Sequence, residues 1–392
     1  MTADRTFDHT NWLTPPHNRD AFQHMRELVP TADIEAGPAP SSLPRDVRSL
    51  DHVPVPSRRG GTVSLAEHLA TSYCDAICVV HDGHIVTEQY FNGMHERRLH
   101  LMMSVSKSIC GATLGVAVGR GQVGIDQLVT DLAPEFEGTS LDGATVRQVI
   151  DMTAGTDFDE DYSGYLDHDA GGTPILEYDA QAGYRPLAGR ERLGTLGHFR
   201  TYGTAYPHGG YFKYRSPLTN IAARVLEVVN DLPYPAIVSR DLWQPMGMEA
   251  DANIMLDCRR HPAVEGGMSC TLRDLARFGL AYLNDGTVDG RQVVPADWVF
   301  DTHHGDDAAV AAFEAQPGGN VDRWSMYRNA FWVIRRDKVF TASGIYGQYC
   351  FVHRPSRTVI ARFSTYPEAL PLDISAETYG AFAAIVEHLW QR

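Results

Sequence analysis

The chain has 392 residues, 43% apolar and 21% charged, a composition that excludes wholesale disorder, collagen and a small disulfide scaffold and, at ~100 to 200 residues per domain, favours two lobes. Its 49 acidic against 34 basic side chains leave a formal charge of −15, which repels phosphate backbones and points to small molecules rather than nucleic acid or an anionic membrane. No apolar run reaches the ~20 residues of a membrane helix, and MTADRTFDHTNW lacks a signal-peptide layout, so a cytoplasmic protein is expected.

Residues 1 to about 60 are rich in proline and weak in period, an extended wrap with one helix expected over 20–29. AICVVHDGHIVTEQYF then alternates β-branched and aromatic residues around Asp82-Gly83, a dipeptide suited to a two-residue hairpin turn because both positions tolerate positive φ. From 101 to 300 helical patterns dominate: SVSKSICGATLGVAVG, TVRQVIDMTAG, LTNIAARVLEVVN and SCTLRDLARFGLAYLNDG. NAFWVIRR, KVFTASG, QYCFVHR and TVIARFST follow as strands whose short links suit an antiparallel meander. Phe382, Ile385, Val386, Leu389 and Trp390 share one face of a closing helix. The expected fold is α+β: an antiparallel sheet formed from both chain ends (1–100 and 301–392), flanked by terminal helices, with a mostly helical lobe inserted over 101–300.

The six cysteines are scattered and form no CxxC pair, so neither a disulfide framework nor zinc is expected. Lysine is scarce, three against 31 arginines, which gives a lysine in a suggestive place unusual weight. Ser104-Val-Ser-Lys107 opens the first apolar helix. A separation of three puts hydroxyl and amine about one turn apart on one face, where the amine can take the hydroxyl proton. Random placement would yield this spacing about 0.15 times, so the pair needs support from elsewhere. The plain alternative makes Ser104 a helix cap and Lys107 a solvated residue; the apolar neighbours of Lys107 weigh against it.

To act as a base near neutrality, a lysine must fall by roughly three pKa units, about 4 kcal/mol, which burial and an ionisable neighbour have to supply. A phenol suits that place. Tyr-x-Ser or Tyr-x-Asn occurs at Tyr90, Tyr214, Tyr282 and Tyr327, and context singles out Tyr214-Arg-Ser216, which follows GGYFK and immediately precedes a helix. Gly119-x-Gly121-x-x-Gly124 satisfies a dinucleotide fingerprint but follows a helix where a strand is required. His81 and His84 flank a hairpin turn, and His303-His304 reads as a solvated loop pair.

Ser104-x-x-Lys107 with Tyr214-x-Ser216 resembles the serine β-lactamase and penicillin-binding superfamily. TVRQVIDMTAG and GGMSCTLRDLARFGLAYLNDG are similar to its branch of class C β-lactamases and related esterases. PPHNRDAFQHMRELVPTAD, LMMSVSKSICG and DFDEDY are similar to the 6-aminohexanoate-dimer hydrolases within that branch, and the likeness runs from about residue 11 to 392. It implies Ser104 as nucleophile, Lys107 and Tyr214 as the proton-transfer pair, and an oxyanion hole from the N–H groups of Ser104 and Ile345. It further implies Tyr162 as a phenol bonded to the scissile amide and Asp169 as the acid that meets a substrate ammonium. Ser216 and Trp332 complete the expected substrate contacts.

The chain also departs from the family pattern. Glu265 stands where the family carries asparagine and adds an acid at the cleft edge. Strand ASGIYGQ has neither Lys-Thr-Gly nor His-x-Gly, with Tyr346 in place of histidine, which argues against a β-lactamase or cell-wall peptidase. The expected activity is hydrolysis of a small amide through an acyl-enzyme, with no metal or organic cofactor, Asp169 or Glu265 drawing a cationic amine. A carboxylesterase of short acyl chains and a catalytically silent ligand-binding protein are the alternatives, and a homodimer is compatible with either.

Overall fold

The structure, a computed structural model, describes residues 6–166, 172–317 and 323–391. In chain order the elements that frame its central cleft are β1 (Thr31–Ile34), β2 (Cys74–His81), β3 (His84–Tyr90), β4 (His100–Leu101), α1 (Val105–Gly119), α2 (Pro174–Ala182), α3 (Pro217–Asn230), β5 (Ala252–Met255), β6 (Met268–Cys270), α4 (Leu272–Leu283), β7 (Met326–Arg328), β8 (Phe331–Arg335), β9 (Val339–Gly344), β10 (Gln348–His353), β11 (Thr358–Ser364) and α5 (Leu372–Trp390).

Both groups of strands join one antiparallel sheet in the order β7-β8-β9-β10-β11-β2-β3. The strand nearest the C-terminus pairs with the first of the N-terminal hairpin, Ile360 opposite Val79 and Ala361 opposite Cys78. The hairpin turns at Asp82 (φ 46°) and Gly83 (φ 79°), both in the left-handed region that the Asp-Gly dipeptide admits. One face of the sheet buries Ile77, Val79 and Phe351 against Phe382, Ile385 and Leu389 of α5. The other buries Ala76, Cys78 and Phe363 in the core that includes Leu275 and Phe278 of α4 and Ile109 of α1. The fold is the α+β arrangement that the strand patterns imply, and no helix among the described residues is long and apolar enough to cross a membrane.

Several local expectations are corrected. The helix expected over 20–29 is two short pieces, His17–Ala21 and Met25–Leu28. Phe22 interrupts them because its carbonyl accepts the Leu101 N–H at 2.8 Å while its ring packs edge-on to Tyr346 and His100; a helical bond would need the same carbonyl. A second sheet, β1-β5-β6-β4, escaped the periodicity because each strand has four residues or fewer. Trp390, placed on the buried face of α5, is 60% exposed. His303 is not a solvated loop residue: it lies in the last turn of the helix Ala296–His304 and is buried.

The seat of α1 matters most for the cleft. Every residue from Val105 to Ala117 is buried, and close approach is bought with glycine. A Cβ on Gly111 would lie 2.3 Å from the Asn329 carbonyl oxygen, in the β7–β8 turn where Asn329 and Ala330 have φ of 51° and 64°. Ser108 Oγ donates to the Ala330 carbonyl at 2.6 Å, and the buried Asp151 carboxylate takes the Asn329 N–H at 2.8 Å. Helix and turn are therefore fixed to each other. An alanine inside a helix ordinarily stabilises relative to glycine by roughly 0.5 to 1 kcal/mol. Here Gly111→Ala should instead destabilise by about 1 to 3 kcal/mol through overpacking, read as a lower urea midpoint; a stabilised variant would show that this contact does not set the helix.

Candidate active site

Ser104 leaves β4 at the start of α1 through a strained step: Met103 has φ 48°, a conformation costly for a non-glycine residue and characteristic of positions held by their surroundings. The Ser104 side chain makes no capping bond, so the helix-cap alternative does not describe it. Its hydroxyl instead accepts from Lys107 Nζ at 2.8 Å, and the same amine donates to the Glu265 carbonyl oxygen at 2.5 Å. Lys107 is 1% exposed. Burial pushes its pKa down, and the nearby carboxyl groups of Glu160, Glu265 and Asp179, which favour the ammonium, do not outweigh that burial.

Tyr214 completes the group. Lys107 Nζ lies 5.0 Å from the centre of its ring, and its phenol is within hydrogen-bonding reach of Ser104. Burial raises the phenol well above its ordinary value, so it stays protonated where the amine can be neutral. The ring is stacked on Trp332 at 5.3 Å and 18° and meets Tyr327 edge-on at 5.8 Å. Trp332 thus sits behind Tyr214 and is not among the residues lining the cavity beside Ser104. Arg215, buried between the two cleft residues of its tripeptide, ties the turn down by donating to Phe158 O at 3.1 Å and to the Tyr206 hydroxyl.

One residue in the centre of the site was missed in sequence. The Glu160 carboxylate accepts the Ser216 N–H at 2.5 Å, the Ser216 hydroxyl at 2.7 Å and the Tyr162 hydroxyl at 2.5 Å. It clamps two expected substrate contacts to each other. Its only signal was a place in the acidic run DFDEDY, which reads equally well as a solvated loop.

On the opposite side β9 ends against Ser104. A Cβ on Gly344 would stand 2.6 Å from Met102 O and 3.0 Å from Ser104 N, so glycine lets the strand end lie against the start of α1. Among the described residues, neither the Ser104 N–H nor the Ile345 N–H enters a backbone hydrogen bond, and both residues line the cavity beside the hydroxyl. Met103, Ser104, Tyr184, Glu265 and Ile345 help to line a cavity of about 30 Å³. Tyr162 and Tyr165 are shared with a larger cleft of about 810 Å³ whose rim carries Asp161 and Glu368.

Glu265 is buried at this cavity, and burial raises its carboxyl pKa, with the Lys107 charge acting the other way. Tyr346 is withdrawn from the cleft: it is fully buried, with its ring edge-on to Phe22. Asp169 lies outside the described residues.

Known proteins share this arrangement at the level of family and fold. The model of the family described as Beta-lactamase matches residues 64–385. The 6-aminohexanoate-dimer hydrolase of Paenarthrobacter ureafaciens is 30% identical over 366 residues, which cover 91% of this chain and 88% of that protein. The solved structure "Putative 6-aminohexanoate-dimer hydrolase from Bacillus anthracis" is similar over 100% of this chain and 99% of its own, with TM-score 0.89 and 24% identity. A family VIII carboxylesterase is similar over 81% and 96%, with TM-score 0.59 and 14% identity. The two structural matches bear on the fold.

The electrostatics fix the sign of a pH effect. A base must be neutral, and burial moves Lys107 below the ordinary lysine range, so reactivity at Ser104 should rise with pH over a limb that lies below that range. Glu160→Gln removes a carboxylate that favours the ammonium while keeping a hydrogen-bond acceptor. It should move the limb to lower pH in the rate of fluorophosphonate labelling; an unmoved or alkaline-shifted limb would show that Lys107 is not the titrating base.

Proposed function

The chain belongs to the beta-lactamase family, and from that premise we propose that it is a serine hydrolase that cleaves a small linear amide of the 6-aminohexanoate-dimer type through an acyl-enzyme. The observation that carries this reading is the contact of a buried amine with the hydroxyl of Ser104, Lys107 Nζ to Oγ at 2.8 Å. In bulk water a lysine is a cation with no lone pair to offer; a dry one, lowered in pKa, can take a proton.

Ser104 Oγ attacks the amide carbon as Lys107 accepts its proton. The negative charge that develops on the carbonyl oxygen is met by the Ser104 and Ile345 N–H groups, each such donor being worth about 2.7 to 4 kcal/mol in the transition state. The protonated amine then returns a proton to the leaving nitrogen, with the Tyr214 phenol as the relay within reach of Ser104. Water releases the acyl group. Nucleophile, base and donors are all side chains or backbone of this chain, so the reading calls for no metal or organic cofactor.

The name of the 30%-identical relative supports the amide class, and the acidic rim of the larger cleft, Asp161 and Glu368, suits a substrate with a cationic end. Ester hydrolysis is the second reading. It is favoured by the Tyr162 hydroxyl, which donates to Glu160 and so leaves the nitrogen of an amide with one proton source fewer than an amidase would use.

Three outcomes are expected. Fluorophosphonate should add to the intact protein by mass, and Ser104→Ala should take none; an adduct that persists in the variant would place the nucleophile elsewhere. Tyr162→Phe should lower amide turnover and leave ester turnover nearly intact, whereas equal losses would make the phenol a structural clamp. The linear dimer should be hydrolysed faster than its N-acetylated form, and equal rates would remove the role assigned to the acidic rim.

A further inference from the structure

The cavity beside Ser104 measures about 30 Å³, whereas a water needs about 10 to 15 Å³. The space therefore suits a water or two and is too small for an acyl chain, which belongs in the 810 Å³ cleft across Tyr162 and Tyr165. A buried water also needs two to four polar partners. The walls offer them: Glu265 is 4% exposed, and among the described residues neither of its carboxyl oxygens, nor the Tyr184 hydroxyl, makes a hydrogen bond. The Asn220 amide and the Glu265 N–H stand close enough to favour the carboxylate without forming such a bond. Gly266 keeps these groups together, since a Cβ there would lie 2.6 Å from the Tyr184 hydroxyl and 3.6 Å from Met103 C. Lys107 Nζ, bonded to Ser104 Oγ and to the Glu265 carbonyl, anchors the acid next to the nucleophile.

We propose that Glu265 is the base of the second half-reaction, taking a proton from a water held between its carboxylate and the Tyr184 hydroxyl as that water attacks the acyl group on Ser104. The proposal rests on the acyl-enzyme reading above. The water oxygen bonds to the acyl carbon and its proton passes to the Glu265 carboxylate. The tetrahedral oxyanion, facing the Ser104 and Ile345 N–H groups, then collapses. The bond from carbon to Oγ breaks, Oγ takes a proton from the Lys107 ammonium, and the acid product leaves. Acylation leaves Lys107 neutral and one proton on Glu265; once the amine has gone that proton passes from Glu265 to Lys107, so deacylation starts from the Glu265 carboxylate and the Lys107 ammonium and ends with the proton back on Glu265 and Lys107 neutral. That is the state acylation requires, so one shared proton serves both halves of the cycle.

The groups that face Glu265 are Lys107 from α1, Tyr178 and Asp179 from α2, Tyr184 after it and the neutral Asn220 from α3. Burial raises the acid above the usual carboxylic range, and its own N–H, the Lys107 charge and the Asn220 amide oppose that rise without cancelling it. Deacylation by the wild-type protein should therefore climb with pH well above the range of an ordinary carboxylic acid; a flat profile there overturns the proposal without any variant.

The decisive experiment separates the two halves with a chromogenic ester and intact mass. Glu265→Gln, which also removes a carboxyl group that favours the Lys107 ammonium, should label with fluorophosphonate at least as fast as wild type, release one equivalent of leaving group in a burst and accumulate an acyl adduct. Its steady-state turnover should fall about 100-fold or more. Tyr184→Phe should show the same pattern with a loss of about tenfold. Turnover of Glu265→Gln within threefold of wild type, or loss of burst and labelling together with turnover, overturns the role in deacylation. Wild-type protein that takes no fluorophosphonate overturns the acyl-enzyme reading itself.

Discussion

The site depends on keeping one amine out of water. Lys107 is buried in a helix whose every neighbour from Val105 to Ala117 is buried, and its ammonium form would forfeit a hydration worth several kcal/mol. Three carboxyl groups nearby pull toward the charged form. Desolvation wins because Lys107 is almost wholly buried, and its pKa falls below the ordinary lysine range beside Ser104. A single channel for solvent to Nζ would reverse the balance, since the same carboxylates would then hold the lysine as an ordinary cation.

That dryness is a product of the fold. α1 is wedged against the β7–β8 turn through Gly111 and Ser108, and the turn is held by Asp151, itself paired with Arg328 at 2.9 Å. Tyr214 and Trp332 stack over the amine side. β9 closes the other side through Gly344, where a Cβ would stand 2.6 Å from Met102 O and 3.0 Å from Ser104 N. The ionic cluster at Asp151 and the aromatic stack at Tyr214 share no atoms with Ser104, yet each fixes one wall of the space around it.

Those parts of the molecule whose cause is local were legible in the sequence. The Asp82-Gly83 hairpin, the four-strand meander and α5 follow from turn chemistry and periodicity, and Ser104 and Lys107 from a spacing within one helical turn. Tyr214 required context, yet the choice among four tripeptides brought the phenol beside the amine. What stayed hidden depends on long-range pairing. β1 pairs with β5 more than 200 residues away, Phe22 breaks a helix to bond Leu101, and Glu160 matters only because Ser216 comes to it. Trp332 was legible as an aromatic near the site but not as the backing of Tyr214, because stacking partners leave no trace in spacing.

The departures from the family pattern can be placed physically. Tyr346 occupies a left-handed position, φ 61°, and bonds through its N–H to Ala369 O at 2.9 Å, while Gly347 passes so near Tyr366 that a Cβ would lie 2.5 Å from its ring. The turn after β9 is thus shaped by two buried tyrosines, and Gln348 pins it by donating to Ser364 O at 2.6 Å. A buried, uncharged phenol at this turn supplies no cation to a substrate carboxylate, and Glu265 across the cavity adds an acid. Asp161 and Glu368 line the larger cleft as well, so the acidic groups extend from the cavity beside Ser104 outward. The same backbone keeps Ile345 beside Ser104 at the cavity wall, so the seat of β9 against the start of α1 is set by buried tyrosines and backbone bonds rather than by the charged residues around the cleft.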